Sequence, residues 1–299
     1  FPVIRALIDR NRRPGRYIIL GSASPELIRD TSESLAGRVA YLELAPFNWQ
    51  EVQNVVDYRA HWLRGGFPES LLAASDALSF EWRLNFIQSY LERDLPLLGL
   101  NADPMLIRRL WMMTAHLNGN LLNMGMLAGS LGISNPTVRR YLDFLESAYL
   151  IRRLHPYHFN IKKRLVKTPK IYIRDTGILH SLLNIGDMQQ LLGHPALGGS
   201  WEAYIIQEIA TRIPPHTELF FYRTQDGTEA DLVIAPGGIP KILVEIKFTS
   251  TPKVSKGFHI AKTDLKTERN FIVCPVDTGY PLSEDTSVLS HLELDHLLR

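Results

Sequence analysis

Asp231, Glu245 and Lys247 lie on two consecutive apolar runs, 229–234 and 242–248, and are the residues of this chain best typed and spaced for chemistry. Alternation along an extended strand puts Glu245 and Lys247 on one face, two residues apart. An acid and a lysine inside an apolar strand need a partner, because buried charge is costly unless it is paired or metal-bound. Asp231 precedes Glu245 with thirteen residues between them, enough for a neighbouring strand and its turn. Two carboxylates and an ammonium converging there can hold Mg²⁺ and position a water beside a phosphate. The same residues also admit a plainer arrangement, with Asp231 closing a hairpin and Glu245 and Lys247 pairing across strands on a solvated face.

The spacing resembles the D-x(n)-E-x-K signature of PD-(D/E)XK, restriction-endonuclease-like domains. Upstream, the amphipathic segment from Trp201 to Ala210 reads as a helix with Glu202 in its first turn. The order is then a helix with Glu202, a strand with Tyr222, a strand with Asp231, a strand with Glu245 and Lys247, a helix, and a strand from Asn270 to Cys274. The resemblance implies that Asp231, Glu245 and Glu202 ligate Mg²⁺ while Lys247 orients the attacking water, so that all four carry the catalysis.

These elements must be positioned by the rest of a 299-residue chain, long enough for two or three cored domains. A hydrophobic fraction of 45% with 21% charged residues is that of a soluble globular protein. The single cysteine, Cys274, excludes an intramolecular disulfide framework and fits a reducing cytoplasm. No apolar run is long enough to span a bilayer, and no basic-then-apolar leader opens the chain. Phe1 in first place leads to the expectation that the chain is cut from a longer protein.

Charge is unevenly spread. Eight Lys or Arg residues and no acid fall between Arg152 and Arg174: Arg152, Arg153, Lys162, Lys163, Arg164, Lys167, Lys170 and Arg174. They exceed the whole net charge of +2, so the remainder is acidic. A local basic block suggests a polyanion, though a solvated connector has the same composition. Just before it, Met124–Leu131 reads as a short helix stopped at Gly132. Ser134 caps a second helix with Pro136 and Thr137 in its first turn. Val138, Leu142 and Leu145 share its inner face, leaving Asn135, Thr137, Arg139, Arg140 and Asp143 outward. A strand from Tyr149 to Leu154 follows, then the basic stretch.

That order resembles a winged helix-turn-helix. The resemblance implies DNA as a partner, with Asn135, Thr137, Arg139 and Arg140 toward a groove and Lys162, Lys163 and Arg164 on phosphates. Winged helices also dock proteins, and that alternative stands beside it.

The first hundred residues hold an apolar run ending at Gly21-Ser22, a Ser24-Pro25 helix start, and a second apolar run after Leu35-Ala-Gly-Arg38. Both runs read as strands. In this order they resemble the later half of an AAA+ ATPase core, with Ser22 on the sensor strand and Arg38 where an arginine finger falls. The helical stretch from Trp49 through Gly65-Gly-Phe-Pro-Glu69 resembles the lid that follows. No G-x-x-x-x-G-K-[ST] occurs, so this chain is not expected to bind or hydrolyse ATP alone. With Pro169–Gly177 added, a strand ending at Asp175 and then a turn, nearly the whole chain resembles prokaryotic, archaeal-type AAA+ ATPases with a C-terminal domain of unknown function. The resemblance implies ATP in the full-length protein only and homo-oligomers through the AAA+ core.

The expected fold is therefore multidomain α/β. Residues 1–46 form a partial AAA+ core, 47–100 a helical lid, 101–168 a winged helix, and 169–299 a restriction-endonuclease-like mixed sheet with flanking helices. The expected function is DNA cleavage with Mg²⁺; the alternative is an ATP-controlled scaffold that binds DNA or protein without cutting.

Overall fold

A computed structural model describes residues 2–21, 37–158 and 165–297. The chain opens with helix α1 (Pro2–Arg10). The two apolar runs expected next as strands, as far as they are described, form none. Ile18, Leu20, Leu42 and Leu44 are 87%, 87%, 94% and 95% exposed. A strand needs a neighbour to take its N–H and C=O groups, and among the described residues these runs have none.

Helices then dominate: α2 (Trp49–Val52), α3 (Tyr58–Arg64), α4 (Pro68–Leu71), α5 (Asp76–Ser89), a π-helical turn at Tyr90–Asp94, and α6 (Leu95–Leu97). Their starts follow from local chemistry. Asn48 and Glu51 make a reciprocal capping box on α2, and Asp57 and Ser75 cap α3 and α5. Next come α7 (Pro104–His116), β1 (Asn120–Leu121), α8 (Met124–Leu131), α9 (Asn135–Ser147), β2 (Ile151–Pro156) and β3 (Lys170–Ile173). Gly132 adopts φ 67°, the left-handed stop that ends α8, and the Ser134 side chain accepts from Thr137 N to start α9.

The remainder is α10 (Thr176–Leu182), α11 (Met188–Leu192), α12 (Leu197–Ala210), β4 (Thr217–Arg223), β5 (Glu229–Pro236), β6 (Ile242–Ile246), α13 (Lys256–Leu265), β7 (Arg269–Cys274), β8 (Tyr280–Ser283), β9 (Thr286–Ser290) and a final 3₁₀ turn. Gly177, read from sequence as lying after a turn, is the second residue of α10, which Asp175 caps.

The strands form one mixed sheet in the order β1-β3-β2-β4-β5-β6-β7-β9-β8. The β2–β4, β6–β7 and β7–β9 pairs are parallel and the others antiparallel. Every residue of β6 is buried, as a strand covered on both faces must be. Trp62 of α3, Trp111 of α7 and Trp201 of α12 are completely buried in the main core, and Trp62 meets Trp201 edge-on at 5.0 Å. Fully packed aromatics from three stretches of chain bind the helical layer to the sheet. No helix among the described residues is long and apolar enough to cross a membrane.

Candidate functional site

Three elements bring the acids together. Leu232 pairs with Val244 in the antiparallel β5–β6 ladder, so one step further the register sets Asp231 opposite Glu245 on the same face. Helix α12 carries Glu202 toward them, from its second turn rather than the first turn expected from sequence, because the helix begins at Leu197. Lys247 follows β6 and its ammonium lies 2.9 Å from Glu245 Oε1, while also donating to Lys253 O at 2.7 Å. Glu245 Oε2 accepts from Ser255 Oγ at 3.0 Å, and Asp231 Oδ2 accepts from Ile246 N at 2.8 Å. The four expected residues thus share one region of the fold.

A fifth residue stands among them. Lys170 of β3 was counted in the basic block, yet its side chain is only 3% exposed. Its Nζ lies 2.9 Å from Glu202 Oε1, 2.6 Å from Glu229 Oε1 and 3.8 Å from Asp231 Oδ1. Tyr172, two residues along the same strand, donates its hydroxyl to Glu202 Oε1 at 2.5 Å. Burial pulls the Lys170 ammonium toward neutrality, but Glu202, Asp231 and Glu229 outweigh it and hold its pKa above the ordinary value. Asp231 is raised, by burial first and then by Glu202, against the opposing pull of Lys170. Tyr172 is raised well above a free phenol by burial and by Glu202, so it stays a donor.

These donors do not fit a Mg²⁺ ion as they stand. Such an ion requires near-octahedral oxygens at roughly 2.0–2.1 Å, whereas the carboxylates already face an ammonium, a phenol, a serine hydroxyl and a backbone N–H. Among the described residues, no group of three or more His, Cys, Asp or Glu is arranged to hold a metal. Lys170, Glu229 and Tyr172 are the members that sequence reasoning missed; the apolar surroundings of Lys170, between Pro169 and Ile171, were the available signal.

The basic block divides in the same way. Arg152 donates to Gln207 Oε1 at 3.1 Å, and burial pulls its pKa down to about 10. Arg153 pairs with Asp143 at 2.7 Å and with Glu146, and Arg174 pairs with Glu43. Four of the eight cations are therefore committed inside the fold. Lys162, Lys163 and Arg164 lie outside the described residues, as does Ser22. Arg38 pairs with Asp9 of α1 at 2.9 and 3.2 Å.

Helix α9 keeps its outward face. Val138, Leu142 and Leu145 are completely buried, while Asn135, Arg139 and Arg140 are exposed. Thr137 is half-buried and its hydroxyl is 2.9 Å from that of Ser134 at the cap. The Arg140 guanidinium lies 5.1 Å over the Tyr141 ring, leaving the planar group at the surface.

Residues 1–53 match a family model described as an AAA domain, 55–189 a domain of unknown function (DUF8612), and 197–294 a second domain of unknown function (DUF4143). An uncharacterized protein of Mycobacterium tuberculosis is 45% identical over 284 residues, covering 95% of this chain and 64% of the relative. An uncharacterized protein of Methanocaldococcus jannaschii is 23% identical over 275 residues, covering 84% of this chain and 60% of the relative. This chain thus spans less than two thirds of the length of these curated relatives. No solved structure matches it. The matches support an AAA-type, ATPase-like family that carries a domain of unknown function.

Proposed function

We propose that this chain is the DNA-binding and scaffolding portion of an AAA-type ATPase-family protein, holding DNA through a winged helix at α7–β3 without cutting it. The observation that carries the reading is α9. Its inner face is fully buried, and Asn135, Arg139 and Arg140 stand exposed behind a Ser134 cap. Support comes from the connectivity: α7, β1, α8, α9, β2 and β3 follow in order, with β1 on β3 and β3 on β2. In a winged helix the second helix of the turn faces a groove and the β2–β3 connection reaches phosphate. The restriction-endonuclease-like sheet serves in this proposal as a rigid base, joined to the winged helix through the β2–β4 pairing. ATP control belongs to the whole protein, since this chain has no phosphate loop.

Fluorescence anisotropy with a labelled duplex, over about 50 to about 200 mM salt, tests it. Arg139→Ala with Arg140→Ala should weaken binding at least about ten-fold at low salt and flatten the salt dependence, because phosphate contacts release counterions. Reversing Lys162, Lys163 and Arg164 should do the same for every sequence, and Asn135→Ala should change sequence preference. Unchanged affinity in both charge variants would instead make α9 a protein-docking face.

A second reading, a Mg²⁺-dependent nuclease, draws on the meeting of Asp231, Glu245, Lys247 and Glu202. It requires Lys170 to leave the cluster.

A further inference from the structure

We infer that Lys170 is the resident cation of the Glu202–Glu229–Asp231 cluster, standing where a divalent metal would sit and closing the cluster to Mg²⁺ and Mn²⁺ in the folded protein. The comparison with a metal position rests on the restriction-endonuclease-like reading; the ion network itself does not.

The position is built, not incidental. Lys170 is flanked on β3 by Ile171, Tyr172 and Ile173, all buried, and β3 is held on one side by β1 and on the other by β2. The Lys170 ammonium also lies 5.6 Å over the Phe221 ring of β4, so an aromatic face and three acids surround the same charge. A long side chain on an exposed helix would lie in solvent; that of Lys170, on a buried strand paired on both sides, is only 3% exposed.

Charge bookkeeping points the same way. Glu202, Glu229, Asp231 and Glu245 carry four negative charges when ionised. Lys170, Lys247 and Arg223, which is 2.7 Å from Glu229, carry three positive charges. A divalent ion entering this group would meet an ammonium within a few ångströms of every ligand. The acids also have other obligations: Tyr172 on Glu202, Ile246 N on Asp231, and Ser255 and Lys247 on Glu245.

The cation and its acids come from different stretches. Lys170 belongs to the 55–189 match, and Glu202, Glu229 and Asp231 to the 197–294 match. The network therefore fastens the two segments together where a metal-dependent enzyme would need an open ion site.

The experiment titrates wild-type protein with Mn²⁺, reading free ion by electron paramagnetic resonance, and records Tm with EDTA and with Mg²⁺. Wild type should show no saturable site below about millimolar Mn²⁺ and no Tm difference between EDTA and Mg²⁺, because a ligand that binds only the folded state would raise Tm. Lys170→Ala should gain one Mn²⁺ site at least about ten-fold tighter, which a second change, Asp231→Asn, removes. A wild-type Mn²⁺ site that Asp231→Asn abolishes would overturn the inference, and so would folded Lys170→Ala protein with no gain. If Lys170→Ala does not fold, the wild-type titration and Tm readings decide alone. DNA affinity of the same wild-type samples reports on the winged-helix reading separately, so failure of one is not failure of the other.

Discussion

The backbone N–H of Gly66 donates to Asp175 Oδ2 at 2.8 Å, locking the Gly65-Gly-Phe-Pro turn against the corner between β3 and α10. The other oxygen of Asp175 accepts from Ile178 N at 2.9 Å and caps α10. Thr176 Oγ1 donates to Trp62 O at 2.7 Å, and Arg83 donates to both Leu63 O and Gly177 O. Both stretches, Gly65-Gly-Phe-Pro-Glu69 and Pro169–Gly177, carried the family resemblance in the sequence, and they meet each other as a backbone joint.

The joint leaves no space for a methyl group. A Cβ on Gly65, at φ +77°, would lie 2.2 Å from Asp175 Oδ1, and one on Gly177 would lie 2.1 Å from Arg64 O. Gly65→Ala, which combines overpacking with backbone strain, and Gly177→Ala, which overpacks within a helix, should each lower stability by more than about 3 kcal/mol in urea unfolding. Gly99→Ala is the control: its φ is +97° but nothing lies within 4 Å. It should lose only about 1–2 kcal/mol. A loss at Gly65 no larger than that at Gly99 would mean that the joint adds nothing there beyond backbone strain.

The ion network can be graded by burial. Tyr172→Phe removes a buried hydroxyl bonded to Glu202 and should reduce stability by about 1–3 kcal/mol. Arg223→Ala removes a 35%-exposed partner of Glu229 and should change it by less than about 1 kcal/mol. Urea midpoints of the two variants check the order; a larger loss from Arg223→Ala would contradict the placement of the network's centre at Lys170.

Much of this arrangement was legible in the sequence. The short helix stopped at Gly132 and the next one capped by Ser134 followed from backbone and capping preferences that act locally, and the spacing of Asp231 and Glu245 allowed the neighbouring strands whose register sets them opposite each other. The role of Lys170 was not legible, because a count of charges along the chain cannot distinguish a buried lysine from its exposed neighbours. Its partners are thirty-two or more residues away, and only the tertiary fold brings them together. The runs around Ile18 and Leu42 failed as strands for a related reason: apolar alternation describes a strand only when another strand is present to complete it.

Acid stability follows from groups that sequence reading left aside. Burial lowers His61 to about 4, His180 to about 3 and His291 to about 4, from an ordinary 6.5. Below pH 6.5 the unfolded chain takes up protons that these folded histidines refuse, so stability is lost as pH falls toward 4. Glu208 acts in the opposite sense. Burial raises it to about 7 despite Arg212 and the Trp49 N–H, so its contribution is present below 4.5 and lost as pH rises through 7. Between 4.5 and 6.5 it offsets one histidine. Glu208→Gln retains an acceptor for Trp49 N and should steepen the acid loss by about 1.4 kcal/mol per pH unit. Unfolding free energies across that window measure it, and an unchanged slope would show that Glu208 is ionised in the fold.

The most direct test of DNA binding without cleavage is a single assay on labelled duplex and single-stranded DNA in about 5 mM Mg²⁺ or Mn²⁺, scored for both affinity and strand integrity. Wild type, Asp231→Asn, and Arg139→Ala with Arg140→Ala are compared. The account predicts intact DNA throughout, equal affinity for wild type and Asp231→Asn, and at least about ten-fold weaker binding by the arginine variant. Metal-dependent fragments that disappear in Asp231→Asn, or binding that survives loss of both arginines undiminished, would contradict it.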